Sequence, residues 1–111
     1  LKNISKIQLP LKKTTYAFNI YWVYGIILDF SLGEAAYFIK KLRDLKVGSR
    51  PFFYPMHKQP VFKKLGYFKN LKLLESEKLY NQGLYLPSGL TMNSSKIKEV
   101  CDRLISLINS L

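Results

Sequence analysis

Toward the C-terminus, Ile97, Val100, Cys101, Leu104, Leu107, Ile108 and Leu111 recur at three- and four-residue steps, while Lys96, Lys98, Asp102 and Arg103 fall off that line. The spacing sets the apolar side chains on one face of a helix. Leaving that face in water is unfavourable, so the rest of the chain has to supply a surface to cover it. The best candidate is a sheet containing Ile20–Leu28, which is rich in aromatic and β-branched residues on both parities, as expected of a strand covered on both sides.

Glycines and prolines divide the remaining chain into short elements. Ser31 stands three residues before Glu34, the capping-box spacing, and Leu32, Ala35, Ala36, Ile39, Leu42 and Leu45 follow at helical steps, so a helix is predicted over Leu32–Leu45. Ser49–Tyr54 reads as a second strand, with Pro51 near its start or at an edge. Pro60 can start a helical turn over Val61–Leu65, stopped by Gly66. Asn70 is the expected cap of a helix over Leu71–Tyr80, with Gly83 near its end and Leu84–Leu86 as a brief third strand ended by Pro87. Leu1–Phe18, with four lysines, no acid and Pro10, reads as a lead-in from a preceding domain. The expected architecture is α/β (α+β): a two-layer sandwich with a small, mostly antiparallel, three-stranded sheet packed against helices. Ile20–Leu28 would be its central strand, flanked by Ser49–Tyr54. Val100, Cys101, Leu104 and Leu107 would bring the last helix onto one sheet face.

With 111 residues, 48% of them hydrophobic, residues 1–111 are expected to form a single domain. The apolar runs are far shorter than the ~20 residues a membrane span needs, so a soluble chain with no membrane partner is expected. One cysteine excludes an internal disulfide, and one histidine cannot complete a structural zinc site with it, so a reducing cytoplasm fits best. The chain starts at Leu1 without methionine or a basic-then-apolar leader, which reads as a piece of a longer protein. Its net charge is +11, from fifteen Lys and only three Arg spread along the whole length. Base-reading interfaces favour Arg for its bidentate fork, which argues against a nucleic-acid partner. Compositional bias of the source genome, or a border around a nucleotide diphosphate, would give the same charge.

No Gly-rich phosphate loop, paired-histidine metal spacing, G-x-S-x-G elbow or dense carboxylate pair is present, which argues against a self-contained enzyme. The densest polar and aromatic cluster runs from Arg50 to Pro60, where a strand leaves into a loop held by prolines, the usual place for binding residues. On composition alone His57 is a surface or partly packed loop residue. Phe52, Phe53 and Tyr54 are sheet and core aromatics, and Arg50 and Lys58 are solvated. Cys101, on the apolar helix face, reads as an inert buried thiol.

At this stretch the sequence becomes specific. "SRPFFYPMHKQPVFKKLG", preceded by "NIYWVYGIIL" and followed by "GLYLPSGL", resembles the C-terminal small domain of the DegT-type nucleotide-sugar aminotransferases, perosamine synthetase-like, from about Ile7 to Leu111. The resemblance implies a fold type I pyridoxal phosphate (PLP) enzyme whose large domain, outside this chain, holds the cofactor and its Schiff-base lysine. No cofactor is then expected on this fragment, and no catalytic residue within it. The parent would be a homodimer moving an amino group from glutamate onto a keto-sugar carried on a nucleotide diphosphate, for surface polysaccharide biosynthesis. The small domain would close over the cofactor domain and help line the sugar-nucleotide cleft. By this resemblance Arg50, Tyr54, His57 and Gln59, with Ser88 as a further candidate, are substrate-binding, whereas Lys58 belongs in solvent. His57 would donate to a sugar hydroxyl or phosphate, and is expected to face solvent where the large domain docks. The family often has Gly where Lys46 stands; a left-handed turn kept there would strain the lysine by ~1 kcal/mol. Leu11–Phe18 departs from the pattern.

A dehydratase of the same family, with histidine in place of the Schiff-base lysine, is the alternative reading. A stand-alone basic module for nucleic acid or other polyanions is the third, and predicts binding that weakens steeply with salt.

Overall fold

Four strands and four helices appear in a computed structural model describing residues 1–111: β1 (Ile7–Gln8), β2 (Tyr24–Leu28), α1 (Ala35–Asp44), β3 (Arg50–Pro51), α2 (Pro60–Lys64), α3 (Leu74–Gln82), β4 (Gly83–Leu86) and α4 (Ser94–Asn109). The strands form one antiparallel sheet in the order β1-β2-β4-β3. Pairing sets Ile7 opposite Leu28 and Ile26 opposite Leu84, so these side chains share one face with Leu86. That face meets Phe38, Leu42, Leu104, Leu107 and Ile108 from α1 and α4 in a single apolar core. The two-layer α/β arrangement is the one the sequence predicts, and Leu104 is fully buried, as expected.

The sheet differs from expectation in count and order. Ile7–Gln8, within the predicted lead-in, is a fourth strand, fastened further where the Asp29 amide donates to the Lys6 carbonyl at 2.8 Å. A pair of residues carries no readable alternation, which is why the sequence hides it. Ser49–Tyr54 contributes only Arg50 and Pro51, and these pair with β4 rather than with β2. Pro51 thus sits on an edge strand, where its missing N–H is tolerated. The brief Gly83–Leu86 is central because its apolar residues can be covered on both sides.

The predicted strand also loses its first residues. Ile20–Tyr21–Trp22–Val23 lies outside β2, because Tyr21 adopts φ 51° and its amide bonds the Asn19 side chain at 2.7 Å. At α1 the expected capping box is absent. Glu34 is the N-cap but makes no side-chain bond, and Asp29 instead caps a short 3₁₀ turn over Phe30–Leu32 by accepting from the Ser31 amide. Gly33, at φ 80°, separates the turn from the helix. Asn70 caps nothing; it takes φ 64°, and α3 begins at Leu74. The cap of α4 is Asn93, whose side chain accepts from the Lys96 amide.

The end of α1 does keep the left-handed turn at a lysine. Lys46 has φ 60°, its amide donates to the Arg43 carbonyl, and the Val47 amide donates to the Leu42 carbonyl at 2.8 Å. These are the two bonds of a Schellman close. Val47 is buried beyond it, so the chain cannot relax out of the turn without exposing an apolar side chain. Two substitutions test this description by urea unfolding. Leu104→Ala should cost ~2–5 kcal/mol, and Lys46→Gly should stabilise by about 1 kcal/mol because glycine has no Cβ to strain.

Candidate functional site

The strand exit and loop after β3 pack around a glycine-lined trough. On the sheet face opposite the core, register places Arg50 and Phe52 beside Tyr85 of β4 and Gly25 of β2. The Phe52 ring stacks on Tyr85, centroids 4.7 Å apart. It also lies against Gly25 and Gly83 so closely that a Cβ on either would sit 2.9 Å or 2.6 Å from ring carbons. Glycine at both positions is therefore a packing requirement. Phe53 meets Tyr85 edge-on and is largely exposed, and Tyr54 sits perpendicular to Tyr80 of α3 at 5.0 Å. Arg50 is exposed on this aromatic face.

From Pro55 the chain turns inward. Met56–Lys58 forms a single 3₁₀ turn and buries His57, which is only 5% exposed. This corrects the expectation that His57 faces solvent. Its Nε2 lies 3.0 Å from Glu77 Oε1, and Lys58 Nζ lies 2.7 Å from Glu77 Oε2. Hydrogen bonds from Lys58 first, and from His57 second, hold the Glu77 carboxyl down to about 2 from its ordinary 4.5. An ionised carboxylate only accepts, so the His57 Nε2 carries the proton and donates. Lys58, assigned to solvent from the sequence, is therefore half-buried in this clasp, which ties the motif loop to the first turn of α3. Sequence reasoning missed Glu77, whose only visible signal is acidity near a helix start.

Gln59 is half-buried and precedes α2, its carbonyl accepting from the Lys63 amide. Ser88 lies elsewhere. Its Oγ donates to the Trp22 carbonyl at 3.0 Å and lines a groove of about 950 Å³. His57 borders a separate cleft of about 500 Å³ with Lys58, Lys63, Asn70, Lys72 and Glu77. The five candidates thus divide into the exposed pair Arg50 and Tyr54, the inward pair His57 and Gln59, and the distant Ser88. The groove and the cleft hold Ser88 and His57 separately.

None of the fifteen lysines is buried. No His, Cys, Asp and Glu cluster is placed to hold a metal ion, and no helix is long and apolar enough to cross a membrane.

The same fold occurs in solved aminotransferase structures. It superposes on the aminotransferase TlmJ from Streptoalloteichus hindustanus with a TM-score of 0.84 at 17% identity, covering 99% of this chain and 28% of that one. NtdA from Bacillus subtilis, solved with bound cofactor PMP, matches with a TM-score of 0.73 at 23% identity over 97% of this chain and 24% of its own. Residues 1–105 match the DegT/DnrJ/EryC1/StrS aminotransferase family, and the chain belongs to that family. The GDP-perosamine synthase of Vibrio cholerae is 29% identical over 102 residues, which are 90% of this chain and 27% of that protein. The chain therefore spans about a quarter of the length of the curated relatives it matches.

The clasp has a testable pH dependence. A carboxyl held below its ordinary value contributes stability that is complete above about pH 4.5 and is lost as pH falls toward about 2. Urea unfolding of wild type and Glu77→Gln should therefore differ at neutral pH and converge across that acid window. A difference that persists at low pH would show that the charge is not what holds the loop.

Proposed function

We propose that this chain is the C-terminal small domain of a PLP-dependent aminotransferase. The parent transfers an amino group from glutamate to a keto-sugar carried on a nucleotide diphosphate, perosamine synthetase-like, for surface polysaccharide biosynthesis in the cytoplasm. The observation that carries this reading is the family match over residues 1–105, joined by the likeness to a GDP-perosamine synthase. When bound, PLP supplies the group that carries nitrogen between donor and acceptor. That chemistry belongs to the large domain of the parent, which works as a homodimer.

Within this chain Arg50 and Tyr54 are the proposed contacts to the sugar nucleotide. Both are exposed, Arg50 opposite Tyr85 and Tyr54 edge-on to Tyr80, where a guanidinium can meet a phosphate or hydroxyl and aromatic faces can pack a sugar or base. His57 acts through the clasp, fixing the loop that carries Tyr54, and Gln59 starts α2 on the far side of the same turn. Ser88, bonded to the Trp22 carbonyl, shapes the groove wall.

The test is the complete protein, supplied with PLP, glutamate and a nucleotide-linked keto-sugar. Formation of the amino sugar with matched consumption of glutamate supports the reading. Loss of water from the sugar without amino transfer would assign the dehydratase instead. In the complete aminotransferase Arg50→Ala should lower kcat/KM for the sugar nucleotide by about 1.5–3 kcal/mol, the scale of a hydrogen bond to a charged group, while leaving PLP binding intact. The 111-residue chain alone should show no turnover and no cofactor absorption band that survives dialysis.

A further inference from the structure

The apolar stripe of α4 is covered along only part of its length. Leu104, Leu107 and Ile108 are buried, but Val100 and Cys101, one turn earlier, are half-buried, and Ile97 is exposed. The sheet shows the same gradient on its core side, where Ile26 and Leu84 are sealed and Tyr24 is half-buried. Between these two unfinished edges lies the groove of about 950 Å³, walled by Tyr24, Leu86, Ile97, Val100 and Cys101. Ile20 and Trp22 stand on its lip, 87% and 79% exposed. Protein interiors pack at ~0.74 density, so a gap of this size continuous with the core marks a core that is not closed.

We propose that an apolar segment from the rest of the parent chain seats in this groove and completes the core, between the start of β2 and the first half of α4. The proposal rests on the reading of this chain as the small domain of a longer enzyme. Two observations select that occupant. Lys2 and Lys12 border the groove and no acidic residue does, in a chain of net charge +11, so a second copy docked symmetrically through the same groove would bring the same lysines against their like. A segment flanked by carboxylates would pair with them. In addition, 27% coverage of the GDP-perosamine synthase leaves nearly three quarters of such a protein outside this chain to supply it.

Cys101, the only cysteine in this chain, reports on the groove. The experiment is maleimide labelling of the complete protein, read at the Cys101 peptide by mass spectrometry, alongside amino-transfer turnover. Cys101 should label about tenfold or more slowly in wild type than in Ile97→Glu, which places a charge in the groove wall. Lys40→Glu, an exposed change on α1, should leave labelling as in wild type. Should Ile97→Glu fail to fold, Trp22→Glu at the exposed lip gives the same comparison. Equal labelling in wild type and the groove variants, in a protein that still turns over, would overturn the proposal while sparing the functional reading. Protection that fades on dilution would overturn it in favour of a second copy. Protection without amino transfer would sink the functional reading and leave the groove assignment standing.

Discussion

The pairing of β2 with β4 is the contact on which everything else is hung. Ile26 opposite Leu84 gives the sheet two fully buried side chains at its centre, and α1 and α4 converge on them. The same register sets Tyr85 opposite Gly25 and Gly83 opposite Ile27 on the other face. One face is thus bulky and sealed, while the other has two empty positions into which the Phe52 ring settles. Shifting the register by one residue would bring the glycines to the core and the leucines to the open face. The aromatic surface around Arg50 exists only because the core pairing is right.

What the sequence reveals follows from how many residues share a period. α4 is legible because its apolar residues repeat over four turns, and Leu104 falls where that repeat puts it. The edge strands are two residues each and lie below any period, so the sequence hides β1 and extends β3 too far toward Tyr54. Turn chemistry is hard to read where several polar residues compete. Asp29, Ser31 and Glu34 all precede α1, and the bond that forms is the local one from the Ser31 amide to Asp29, which stabilises a separate turn. Asn70 fits a cap by type, yet its left-handed backbone serves a bend. Family resemblance located the motif loop, but neither composition nor resemblance distinguishes a histidine that meets a ligand from one that meets a carboxylate twenty residues away.

That carboxylate changes how the motif works. A loop between two prolines is stiff only at its ends, and a single 3₁₀ turn is too short to hold itself. Glu77 accepts from both His57 and Lys58, so two consecutive motif residues are fixed to one helix by one anion. Tyr54 packs edge-on against Tyr80, a residue of that same helix. The loop and α3 therefore behave as one piece, and the aromatic face borders a rigid wall.

The exposed apolar surface divides into two kinds. A radius of gyration of 15.8 Å is wide for 111 residues, since a compact chain of 100 has ~13 Å. The excursion through Leu11, Tyr16 and Phe18, closed by a single bridge between Lys13 and Phe18, projects apolar side chains into water. With Ile20, Trp22 and the groove it forms a region continuous with the core and free of acids. The sheet's open face is different, because aromatic rings there surround a guanidinium. Apolar surface without polar anchors recognises other apolar surface, whereas aromatic faces with a few placed polar groups orient a small ligand. The two regions lie on opposite sides of the β2–β4 pair, since Tyr24 and Leu86 point to the core side and Tyr85 to the other. A domain built this way can be gripped through one face while it presents the other to a ligand.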